Sequence, residues 1–176
     1  MLMKFFVFIL LFNILNSCRA KHVLQVEENE IVSSTECPAD GTCTIELMPN
    51  KTIKMLYDSF GALYTEIING NAMTLKFEYK RNDIPNTMDG QYVEQILMEL
   101  DPNSLEMELK DSELKNVNLL FARFCYCKGQ TGYYIVQHGN LVIKKEEENK
   151  YHLQLAFKVD EVPQIITEID RIFDLH

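Results

Sequence analysis

Apolar and polar residues alternate with a period of two along most of this chain, and that spacing predicts strands with one buried face. The clearest case is Met73-Thr74-Leu75-Lys76-Phe77-Glu78-Tyr79-Lys80, in which every second side chain is large and apolar. Tyr151, Leu153, Leu155, Phe157 and Val159 repeat the pattern near the end. Cys43, Ile45 and Leu47 alternate earlier, and Ile53, Met55 and Tyr57 follow a break at Pro49-Asn50-Lys51. Leu105, Met107 and Leu109 form another half-buried set. Strands are also predicted over residues 60–68, 118–127, 132–137 and the Leu141-Val142-Ile143 run. Residues 91–100 are apolar without a regular period, which leaves strand and helix both open. Asn69-Gly70 and Gly139-Asn140 read as tight hairpin turns, and Glu146-Glu147-Glu148-Asn149 as a solvated one.

The period changes at the C-terminus. Ile165, Ile169, Ile172 and Phe173 recur at helical spacing behind Asp160 and Pro163, which suit a helix start. The expected fold is therefore mainly β, of the α+β kind: a single antiparallel β-sandwich, barrel or strongly curved sheet with one C-terminal amphipathic helix at about 162–174. No internal repeat or low-complexity linker divides residues 36–176, so they are expected to form one domain.

The first residues follow another rule. Lys4 precedes an almost unbroken apolar run from Phe5 to Leu15. That run is about half the roughly 20 residues a helix needs to cross a hydrocarbon core. A basic start, a short apolar stretch and small polar residues make an export signal. The run ends in Leu15-Asn16-Ser17-Cys18, which resembles the lipobox of bacterial lipoproteins, with Asn16 departing from the commonest residue at its position. The resemblance covers residues 1–18 only. It implies a signal peptide over 1–17, cleavage before Cys18, acylation of Cys18, and a tether over 18–35. It also implies a bacterial cell-envelope location, in the outer membrane on its periplasmic or surface face. Cleavage after Ala20, giving a secreted soluble protein, is the competing reading.

Charge narrows the partners. The 176 residues carry 17 Lys and Arg against 26 Asp and Glu, a formal net charge of −9. An acidic chain without a basic stripe is repelled by phosphate backbones, so nucleic acid is not expected as a partner. The expected partners are the membrane, through the lipid on Cys18, and an envelope protein. The chain has five cysteines. Setting Cys18 aside leaves Cys37, Cys43, Cys125 and Cys127, an even set that points to disulfides in an exported protein. Side chains at i and i+2 of a strand stand nearly 7 Å apart at their Cα atoms. A Cys125–Cys127 bond is on that ground disfavoured, and Cys37 and Cys43 are expected to pair crosswise with Cys125 and Cys127. A Cys37–Cys43 bond closing its own turn stays open. The cysteine spacings do not match zinc knuckles, so no metal is expected.

Little else carries chemistry. No His-Glu-x-x-His, nucleophile elbow or phosphate loop is present, and no cofactor is expected. Asp83, Asn86 and Asp89 share a loop without the spacing of a calcium loop. Tyr126, Tyr133 and Tyr134 are candidate ligand-binding residues as a stacking patch. The favoured reading is a non-enzymatic envelope protein with a binding or structural role. The alternative is an exported hydrolase or redox enzyme using His138, His152 and the acids of residues 83–89, converging only in three dimensions.

Overall fold

The computed structural model describes residues 37–175. Nine strands and one 3₁₀ turn (Asp111–Val117) follow one another: β1 Gly41–Tyr57, β2 Leu63–Arg81, β3 Tyr92–Leu100, β4 Met107–Lys110, β5 Leu120–Cys125, β6 Gly132–Ile135, β7 His138–Glu147, β8 Lys150–Lys158 and β9 Glu168–Asp174. They build a five-stranded sheet in the order β1-β2-β3-β5-β6 and a four-stranded sheet in the order β4-β7-β8-β9. All pairings are antiparallel. The alternating residues explain how the sheets meet. Leu75, Phe77, Tyr79, Ile96, Met98 and Phe121 of the first share one buried cluster with Leu141, Ile143, Leu153, Leu155, Phe157 and Phe173 of the second. The irregular apolar run at 91–100 is β3, whose Leu97 is buried on the opposite face from Ile96 and Met98. A strand covered on both faces loses its alternation.

The expected C-terminal helix is absent, and β9 stands in its place. The residues just before it are held by side-chain bonds from the distant Glu94 and from Gln164 within the segment. Glu94 accepts the backbone N–H groups of Ile165 and Ile166, each at 2.7 Å. Gln164 accepts the Val159 N–H at 2.7 Å and donates to the carbonyl of Ile166 at 2.8 Å. The bond to the Ile166 carbonyl occupies an acceptor that a helix through this segment would use, and β9 instead pairs with β8 from Lys150↔Asp174 to Ala156↔Glu168. The spacing itself was ambiguous, because two residues four apart share a face in a strand as well as in a helix. Ile169 and Phe173 are buried four apart in β9, while Ile172 is exposed.

Neither Asn69-Gly70 nor Gly139-Asn140 is a turn. Both glycines lie inside strands where the opposite strand comes too close for a side chain. A Cβ at Gly70 would stand 2.3 Å from Thr52 Oγ1, and one at Gly139 would stand 2.5 Å from the Ala156 carbonyl oxygen. The first hairpin is consequently much longer than its turn signals suggest. Pro49-Asn50 is a bulge inside β1, with Asn50 at φ 56°. The true turn comes at Asp58–Ala62, where Asp58 accepts the N–H groups of Phe60 and Ala62 at 2.8 Å each.

Beyond the bulge the hairpin becomes an arm. β3 pairs with β2 only over Met73–Lys80, so the far part of β1 and β2 leaves the main ladder. It lies on the outer face of the five-stranded sheet, where Ile53 packs with Leu97 and Leu120, joined by Met55, Leu63 and Tyr133. Polar bonds hold it there. The Ile53 N–H donates to Glu99 Oε1, Asn118 Nδ2 donates to Glu99 Oε2 at 2.8 Å, and Thr74 Oγ1 donates to the Lys51 carbonyl at 3.0 Å.

Candidate functional site

The four described cysteines form two local bonds, Cys37–Cys43 and Cys125–Cys127. The crosswise pairing is overturned by topology. In register, Cys43 faces Tyr79, Tyr79 faces Glu94, and Glu94 faces Arg123. Three strand spacings therefore separate β1 from β5, roughly 14 Å, about twice the 7 Å that a disulfide tolerates between Cα atoms. The strand-spacing objection to Cys125–Cys127 fails because β5 ends at Cys125 and the chain bends at Tyr126. The bend brings the two Cα atoms to 5.1 Å.

This small ring is the rim of two concavities in the surface of the described residues. On one side Cys125, Tyr126, Cys127, Lys128, Gly129 and Thr131 line a concavity of about 500 Å³. On the other, Cys125 and Tyr126 join Met88, Asp89, Val93 and Phe124 around one of about 290 Å³. Tyr126 is 84% exposed and Met88 is 97% exposed. The loop is fastened from below by Arg123. Its Nη1 donates to Gln130 Oε1 at 2.9 Å, and Thr131 Oγ1 donates to the Arg123 carbonyl at 3.0 Å.

Arg123 belongs to a buried polar line beneath this rim. Its Nε donates to the Tyr92 hydroxyl at 3.2 Å, and that hydroxyl donates to Glu94 Oε1. Arg81 lies over the Tyr92 ring, 4.5 Å from its centroid, and Arg81 Nε stands 3.3 Å from Asp40 Oδ2. Tyr79 donates to Asp40 Oδ1 at 2.8 Å. Both buried charges, Glu94 and Arg123, thus reach each other through one phenol. Burial pushes the Tyr92 phenol up to about 12, its bond to Glu94 adds to the rise, and Arg123 opposes it. Because the folded state holds this proton more tightly than the unfolded chain, its contribution is complete below pH 10. It disappears between pH 10 and about 12 as the unfolded chain ionises first. Alkaline unfolding of Tyr92→Phe is expected to show a shallower loss across that window. Tyr79 and Tyr134, also raised by burial, add to the loss in the same direction.

The three candidate tyrosines do not form one platform. Tyr134 pairs with Phe121 in register and turns toward the core, their ring centroids 6.4 Å apart. Tyr133 turns outward, meeting Phe124 edge-on at 5.4 Å and the base of the arm. Tyr126 alone stands at the concave rim. The two strand histidines are likewise apart. His138 faces Lys158 at one end of the β7–β8 ladder, and His152 faces Lys144 toward the other. His152 Nε2 lies 2.6 Å from Asp170 Oδ1 and Nδ1 lies 3.2 Å from Glu146 Oε1, so both ring nitrogens already face carboxylates. That arrangement leaves no nitrogen to activate a nucleophile. Among the described residues no group of three His, Cys, Asp or Glu is arranged to hold a metal ion. Cys18, with the signal and tether at 1–35, lies outside the described residues.

The second feature is the arm, whose strands the alternation of Ile53, Met55 and Tyr57 and the run over 60–68 predicted but whose exposed apolar side chains they did not. Tyr57, Phe60, Tyr64, Ile67 and Ile68 are all exposed there, Phe60 by 94% at the tip. The signal was present as apolar doublets: Leu56-Tyr57, Leu63-Tyr64 and Ile67-Ile68. A doublet in a strand places apolar groups on both faces. One face of the arm covers the sheet, and Lys54 pairs with Glu66 at 3.6 Å on the other. Comparison with family models, curated proteins and solved structures finds no match.

Proposed function

We propose that this chain is a lipid-anchored protein of the bacterial cell envelope whose main work is to bind a partner polypeptide through the β1–β2 arm. The carrying observation is the gathering of five exposed large apolar side chains on that arm. Register spreads them over the arm, Tyr57 and Ile67 on the face of Ile53 and Met55, Tyr64 and Ile68 on the other, and Phe60 at the turn. Monomeric proteins scatter such residues singly, and their concentration on one hairpin marks a contact surface. Its make-up suits protein more than lipid. Tyr64 and Ile68 flank the Lys54–Glu66 ion pair on one face, an apolar and charged mixture like the centre and rim of a protein interface. The net charge of −9 opposes approach to anionic headgroups and favours a partner with basic residues around an apolar seat. Support for the address comes from the export signal, the lipobox and two disulfides, which persist in oxidising surroundings.

Site-specific photocrosslinking in intact cells tests the reading. A crosslinker at Phe60 or Tyr64 is expected to capture the same non-self polypeptide, and one at the exposed Thr44 is expected to capture none. Phe60→Ala is expected to weaken the captured pair by about 2 kcal/mol, roughly thirtyfold. Equal capture from all three positions, or adducts only with lipid or a second copy, overturns the proposal.

A further inference from the structure

Cys37–Cys43 and Cys125–Cys127 are built for different tasks. The first ties the entry of the chain to β1, and both its cysteines pack against the main core. The second encloses only Tyr126. Its surroundings are already fixed without it: β5 pairs with β3 on one side and β6 on the other, and the 126–131 turn is fastened to Arg123. A bond spanning so short a loop constrains the unfolded chain little. It also occupies the rim between two concavities, both cysteines half-buried on either side of the exposed Tyr126, and bonds that solvent and substrate can reach are the ones that serve regulation or catalysis.

We propose that Cys125–Cys127 is a thiol–disulfide exchange site that takes the cysteine pairs of other exported polypeptides as substrate. This inference stands apart from the arm. Its geometry gives the two sulfurs separate roles. Cys125 packs against the main core, whereas Cys127 does not belong to that cluster and faces the larger concavity beside Lys128. A substrate thiolate attacks Cys127 Sγ, the Cys125–Cys127 bond breaks, and its electron pair leaves on Cys125 Sγ, which takes up a proton. The substrate's second thiolate then attacks its own first sulfur and expels Cys127 as a thiolate, which is protonated in turn. Two electrons and two protons have passed to the protein, and the substrate leaves with a disulfide. A second disulfide, of a small molecule or a protein, restores the ring by the same steps in reverse. Lys128 follows Cys127 in the chain and lines the same concavity. The exposed Tyr126 and Met88 offer apolar contact to chain segments flanking the substrate's cysteines.

Oxidised full-length protein mixed with a reduced synthetic peptide carrying two cysteines among apolar residues tests this, with alkylation and mass spectrometry locating the new thiols. The protein is expected to oxidise the peptide at least tenfold faster than the Cys125→Ser/Cys127→Ser variant. One peptide disulfide should form per protein, with new thiols at Cys125 and Cys127 only and Cys37–Cys43 intact. Cys125→Ser, mixed with the oxidised peptide, is expected to hold it as a mixed disulfide on Cys127. The map on the unaltered protein decides the matter even where a variant misfolds. Peptide oxidation that leaves Cys125–Cys127 intact, thiols appearing at Cys37 and Cys43 instead, or equal rates from the double variant each overturn the proposal.

Discussion

Glu94→Leu is expected to lower the free energy of unfolding by about 3–5 kcal/mol, the usual consequence of removing one partner from a buried charge network. Glu94 is fully buried, and its two carboxylate oxygens accept from Tyr92, Ile165 and Ile166. Leucine fills the volume but leaves two backbone N–H groups and the Tyr92 hydroxyl without an acceptor, and it leaves Arg123 as a buried charge with no carboxylate nearby through Tyr92. Glu94→Gln keeps one acceptor oxygen and is expected to lose less. Urea unfolding gives both values, and amide hydrogen exchange at Ile165 and Ile166 should speed up in each variant. A loss under about 1 kcal/mol for Glu94→Leu would mean that the segment before β9 is held by Gln164 and apolar packing alone.

Cys18→Ala is expected to move the protein almost wholly from the membrane fraction to the soluble fraction. Each buried CH₂ of an acyl chain contributes about 0.8 kcal/mol, and two or more chains make a lasting anchor where one does not. The acidic domain supplies no electrostatic substitute, since its charge of −9 repels anionic leaflets. The unaltered protein should stay with membranes through a high-salt wash and leave with detergent. Labelled palmitate should enter it and not the variant. The substitution lies outside residues 37–175, so the melting temperature and both disulfides should be unchanged. A variant that still sediments with membranes would place the attachment in the folded domain, with the arm as its first candidate.

The sheets were legible because burial writes itself into a period of two. Residues 73–80 and 151–159 predicted β2 and β8 with the core face correctly assigned. Three features were illegible for physical reasons. The four-residue spacing of Ile169 and Phe173 belongs to both helix and strand, and the long-range ladder of β9 with β8 decided between them. Gly70 and Gly139 serve close approach of neighbouring strands, which a local reading cannot separate from turn formation. The cysteine set was correct in number, but its pairing depended on strand order: β2 and β3 stand between Cys43 and Cys125. Of the candidate site, Tyr126 and the Cys125–Cys127 pair lie together at the concave rim, while Tyr133 and Tyr134 turn to opposite faces.

The intact mass of the protein extracted from bacterial membranes tests the anchor, and with it the compartment on which the partner and exchange readings depend. The account predicts a chain beginning at Cys18 that carries acyl groups and lacks the four hydrogens displaced by two bonds, Cys37–Cys43 and Cys125–Cys127. A bare terminus at Lys21, or four free thiols in the extracted protein, would contradict it.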